Sequence, residues 1–130
     1  MMLTYVKSSV PLEACGLLAG KDSMVSKVFL IENKSQSQVR FRMDPVEQLL
    51  AFAWIEANSM DLLGIFHSHP SGPDTLSETD IAEAAYEVVQ IIWSPPSSPG
   101  SGTGEPWQAH GFWIENGELY NVELKITGEE

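Results

Sequence analysis

The chain has 130 residues, is 43% hydrophobic, and carries a formal charge of −11 from 7 basic and 18 acidic side chains. That length is read as one domain, 1–130, with a core large enough to fold without a disulfide or metal staple, and the composition is not that of a disordered chain. Such a charge repels phosphate backbones and anionic lipid surfaces, so it argues against nucleic-acid and membrane partners and suits a basic protein partner or plain solubility.

Cys15 is the one cysteine, which excludes an internal disulfide and points to a reducing, cytoplasmic setting. The first nine residues lack a basic segment followed by an apolar one, and no apolar run is long enough to span a bilayer, so a soluble, unexported protein is expected.

In chain order, residues 2–9 read as a short helix, and Pro11 breaks it. Residues 14–19 form a compact apolar run, a buried strand in which Gly16 and Gly20 mark close packing or a turn. Lys21-Asp22-Ser23 is a turn, and 24–31 alternates loosely as a second strand. Val39-Arg40-Phe41-Arg42-Met43 alternates apolar and basic, as a half-exposed strand does. Asp44-Pro45 is a helix start, an Asp cap with proline in the first turn.

That helix runs to about Asn58, with Val46, Leu49, Leu50, Ala53 and Trp54 as its apolar stripe and Phe52 off it. A strand follows over 61–69, then loop residues, a helix from Ser77 to about Tyr86, and a β-branched strand over 88–93. Residues 94–106 are rich in Pro, Gly and Ser and read as an irregular, mobile loop. Two alternating runs, 107–114 and 118–126, flank Glu115-Asn116-Gly117, a hairpin signal. The order implies an α/β (α+β) domain built on one mixed sheet with helices packed against it.

The chemistry concentrates in His67-Ser68-His69-Pro70, followed by Ser77 and Asp80. Side chains two apart on a strand share a face, so His67 and His69 would present two imidazoles side by side where Pro70 ends the strand. Two neutral imidazoles and the Asp80 carboxylate make a suitable zinc shell that leaves a fourth position for water. Against this, Ser77-Glu78-Thr79-Asp80 is also a capping box, and a single strand-end histidine is more often structural. Two histidines on one apolar strand need partners, because burying unpaired imidazoles is costly.

With a metal present, water activation and carbonyl polarisation follow, and amide hydrolysis further needs a carboxylate to carry a proton to the leaving amine. Glu13, Asp44, Glu47, Asp74, Glu78 and Glu83 all qualify by type, and spacing does not choose among them. The Ser77 hydroxyl is the donor nearest in sequence to a ligand for a developing oxyanion.

The five positions His67, His69, Pro70, Ser77 and Asp80 resemble the core motif of the JAMM (MPN+) metalloproteases. The likeness extends to Glu13-Ala14-Cys15-Gly16-Leu17-Leu18-Ala19-Gly20, to Arg42-Met43-Asp44-Pro45, and to the 113–122 region, so it covers nearly the whole chain. The resemblance implies a cytidine-deaminase-like JAMM/MPN fold, a curved mixed sheet flanked by helices. It implies one zinc ion per chain on His67, His69 and Asp80, with Glu13 as general acid/base and Ser77 as oxyanion donor. It implies hydrolysis of an amide or isopeptide bond at the C-terminus of a ubiquitin-like protein.

The small size is similar to the prokaryotic Mec-like branch, associated with β-grasp sulfur carriers, some members of which release cysteine. A RadC-like member of the superfamily ranks second. The segment before Pro11 is shorter than the family's usual helix, which puts substrate contacts there in doubt. The oligomeric state is open, a homodimer included.

Without the resemblance Glu13 reads as a solvated loop glutamate, Cys15 as a buried inert thiol, and His110 as structural or exposed. Trp54, Trp93, Trp107 and Trp113 read as core or core-edge packing, with a groove-lining role for Trp107 as the sharper alternative. The rivals are a non-catalytic binding module of the same fold, a cupin and a two-His-one-carboxylate iron oxygenase. The full motif weakens the first. Pro73 and Asp74, where a cupin needs its glutamate, and the helical patterns weaken the second. The order of ligands weakens the third.

Overall fold

The computed structural model describes residues 2–10, 12–35, 42–69, 88–95 and 107–124. Its elements are helix α1 (Met2–Ser9), strands β1 (Cys15–Lys21) and β2 (Met24–Ile31), helix α2 (Pro45–Ala57), and strands β3 (Asp61–Ser68), β4 (Val89–Ser94), β5 (Gln108–Glu115) and β6 (Glu118–Val122). The six strands form one sheet in the order β2-β1-β3-β4-β5-β6. Only β3 and β4 run parallel; the other neighbours are antiparallel. The mixed sheet expected from the element order is therefore present. Of the strand read over 39–43 only Arg42 and Met43 are described, Met43 as a single bridge to Asn33, and the helix from Ser77 and most of the 94–106 loop fall outside the described residues.

Both tight hairpins follow from their turn residues. Asn116 and Gly117 take φ of 52° and 77°, the left-handed pair that matches the twist of the flanking strands. Asp22 and Ser23, at 53° and 66°, close the β1–β2 hairpin the same way. Gly16 lies where a Cβ would collide with the Phe29 carbonyl and the Phe66 ring, so β1, β2 and β3 pack here only around a residue with no side chain.

Helix α2 begins as read: the Asp44 carboxylate accepts from Val46 N at 2.9 Å and Glu47 N at 3.4 Å, with Pro45 in the first turn. Its apolar stripe is a correction. Val46, Leu49 and Leu50 are 65%, 68% and 64% exposed, and Ala53 is exposed, while Ala51 and Ile55 are buried and Phe52 is half-buried. The helix carries two apolar rows, and periodicity does not say which one faces the sheet. The row that carries Ala51 and Ile55 is the one that faces the sheet. Trp54 sits at the boundary, half-buried, edge-on to Phe29 with ring centroids 5.6 Å apart.

The core lies around the sheet's centre. Val6, Ala14, Leu18, Phe66, Ile91 and Trp93 form one cluster, with Trp107 packed against it. Trp107 is thus at a core edge, the plainer of its two readings. Cys15, Leu17, Ile31, Met43, Ala51 and Ile65 form another, which α2 covers. No helix among the described residues is long and apolar enough to cross a membrane.

Candidate active site

Strand β3 occupies the middle of the sheet, hydrogen-bonded to β1 on one side and β4 on the other. Its apolar run Ile65-Phe66 carries it through the core, so the residues that follow emerge at its carboxyl end, buried. His67 is 1% exposed and His69 6%. Ladder pairing holds His67 opposite Cys15 and Ile92, and His69 N donates to the Trp93 carbonyl at 2.9 Å. The two rings stand as expected from their spacing, with Nε2 atoms 3.1 Å apart and planes at 64°.

Glu13 completes the cluster. It precedes β1, is only 3% exposed, and brings a carboxylate oxygen within 4.8 Å of the ring nitrogens of both histidines. The solvated-loop reading of Glu13 is thereby corrected: the side chain is buried beside His67 and His69. Among the described residues, the other acidic group of comparable spacing, Glu32, Asp44 and Glu47, is more exposed and carries Lys34 against Glu32 and Asp44 at 3.7 and 3.5 Å. Asp44 and Glu47, two of the carboxylates that spacing had left open, thus group with Glu32 and not with the histidines. Ser77 and Asp80 lie outside the described residues.

The donor set fits a zinc ion. Two nitrogens each ~2.0–2.1 Å from a tetrahedral centre lie roughly 3.3 Å apart, close to the Nε2 separation found here. One neutral imidazole can also donate to the other at this distance, so the same spacing serves the rings before and after a cation enters.

Two residues at the site escaped the sequence reading. Ser68, fully buried, accepts from Ala14 N through Oγ at 2.8 Å, while its own N–H donates to the Ala14 carbonyl at 3.0 Å. Asn33 Nδ2 donates to the Glu13 carbonyl at 2.9 Å. A hydroxyl enclosed between two candidate ligands was a usable signal for Ser68. Asn33, a loop asparagine after a strand, offered none.

Cys15 is the inert thiol expected. Burial pushes it from an ordinary 9.0 to about 12, with Glu13 and then Glu47 adding to the shift, and Sγ donates to the Ile31 carbonyl at 3.5 Å. The folded chain holds this proton more tightly than the unfolded chain. Its contribution to stability is fully present below pH 9 and is lost as the pH rises towards 12. The expected outcome is that a thiol reagent at pH 8 labels the urea-unfolded chain and leaves the native chain unlabelled. Stoichiometric labelling of the native protein would contradict the assignment.

Comparison with known proteins agrees with this geometry. A family model described as prokaryotic homologs of the JAB domain matches residues 1–110. A Pyrococcus furiosus protein named desampylase is 43% identical over 124 residues, covering 95% of this chain and 81% of its own. A Thermus thermophilus protein named as a probable TtuB-protein conjugate cleaving protease is 37% identical over 90 residues, 68% of this chain and 60% of its own. The solution structure of a Desulfitobacterium hafniense protein superposes with a TM-score of 0.81 at 31% identity, covering 98% of this chain and 87% of that one.

Proposed function

The chain belongs to the prokaryotic branch of the JAB (JAMM/MPN) family of hydrolases, and from that premise we propose that it is a cytoplasmic zinc isopeptidase or peptidase. It hydrolyses an amide bond at the C-terminus of a ubiquitin-like or sulfur-carrier protein; release of cysteine from a carrier is one form of the same reaction. The observation that carries the proposal is the 3.1 Å approach of the His67 and His69 Nε2 atoms beside the buried Glu13. The relatives named as a desampylase and as a TtuB-conjugate cleaving protease support a protein conjugate as the substrate.

In this reading His67, His69 and Asp80 would hold the ion. The chemistry that zinc would supply there is Lewis acidity towards a water and the scissile carbonyl. Glu13 takes the proton of the attacking water and delivers it to the leaving amine. The Ser77 hydroxyl donates to the oxygen that gathers charge. The ladder holds the His67 main chain, and the bond from His69 N to the Trp93 carbonyl holds the His69 main chain, so both imidazoles hang from an anchored backbone.

The test is elemental analysis together with cleavage of a TtuB–protein conjugate. About one zinc per chain is expected in the wild type, with a sharp reduction in Asp80→Ala and cleavage stopped by a chelator and restored by zinc. No bound metal even after reconstitution, with no cleavage, would overturn the proposal in favour of a silent binding module of the same fold.

A further inference from the structure

Glu13 stands before the first ladder pair of β1, so the sheet itself does not fix its peptide. What holds it is a pair of side chains from elsewhere. Ser68 grips the following residue: its Oγ accepts from Ala14 N, and its main-chain N–H donates to the Ala14 carbonyl. Asn33 grips Glu13 itself, donating from Nδ2 to its carbonyl oxygen at 2.9 Å across 20 positions of sequence.

The Asn33 amide can face only one way. Its Oδ1 accepts from two backbone N–H groups, Ser35 at 3.0 Å and Arg42 at 2.9 Å. A flipped amide would turn its NH2 towards those donors and its oxygen towards the Glu13 carbonyl, losing all three bonds. Asn33 is 7% exposed, so water does not readily replace them. Its own backbone is pinned as well: it bridges Met43, and the flanking Lys34 N–H and Asp44 N–H donate to the Arg42 and Glu32 carbonyls. The short 32–35/42–44 ladder is thus a fixed base, and Asn33 is the arm that reaches from it to Glu13.

We propose that Asn33 is a positioning residue for the hydrolysis, one that sets the Glu13 carboxylate against His67 and His69 by anchoring the Glu13 main chain. The inference rests on the reading of Glu13 as the proton carrier. Asparagine is the side chain that meets this demand: one donor for a carbonyl and one doubly accepting oxygen, in one rigid plane. Aspartate keeps the shape and both acceptor bonds but turns an acceptor towards the Glu13 carbonyl. Alanine loses everything.

The test compares wild type, Asn33→Asp and Asn33→Ala on two readouts. On a TtuB–protein conjugate both variants should lose about 10- to 100-fold in kcat, with KM within about two-fold and zinc content unchanged. By hydrogen exchange the Ala14 amide should exchange faster in both variants, while amides in the middle of β1 keep their protection. A kcat within two-fold of wild type would overturn the proposal. So would a loss that only tracks the folded fraction, or exchange accelerated equally along β1, since each is what a general structural role produces. If the wild type itself cleaves nothing, the proposed function falls, and exchange still decides the placement: selective loosening at Ala14 supports the anchor, and its absence overturns it.

Discussion

Glu13→Gln is expected to lower kcat by about 10²- to 10⁴-fold while leaving the zinc content near one per chain. Glutamine has nearly the shape of glutamate, so the backbone bonds from Asn33 and the packing around a 3% exposed side chain are retained. What disappears is the capacity to take up and release a proton. The geometry makes this experiment doubly informative, because Glu13 is close enough to both histidines to serve as a ligand itself. Elemental analysis separates the roles. A variant that keeps its metal and loses its rate identifies Glu13 as the proton carrier. Loss of metal would instead make Glu13 a ligand and sink the assignment made here.

Phe66→Ala is expected to cost about 3–5 kcal/mol of stability. Phe66 is completely buried, lies directly before His67 in β3, and packs with Val6, Ala14, Leu18, Ile91 and Trp93. It also fills the space that Gly16 leaves on β1, so truncation opens a cavity between two strands that deliver site residues. Urea unfolding measures the effect as a lowered midpoint with an unchanged slope. A cost below about 1 kcal/mol would mean that the sheet closes over the vacated ring, contrary to the packing described.

What the sequence made legible was whatever depends on neighbours in the chain. The Asp44 cap, the Asn116-Gly117 turn and the side-by-side histidines at the end of β3 each follow from backbone preferences acting over two to four residues. Element order then implied the mixed sheet. The orientation of α2 was not legible, because both of its faces carry apolar side chains and the choice between them rests on contacts far along the chain. Glu13 was singled out only through the family resemblance. Its burial comes from β3, far along the chain, and nothing around Pro11 signals it. Asn33 was invisible for the same reason: its partner is 20 positions away.

The wiring of β1 to β3 also sets the order in which the molecule acquires its competence. The β1–β2 hairpin closes over two residues and needs little chain entropy, whereas the Ala14–Ser68 link joins positions 54 apart. Non-local pairings of this kind form late and slow the search for the native state. By loop length alone, the first hairpin is the cheaper contact to close, and the meeting of Glu13 with the histidines the dearer. Until β3 is paired, the side chains of the candidate site belong to separate stretches of chain, and the site has no geometry at all.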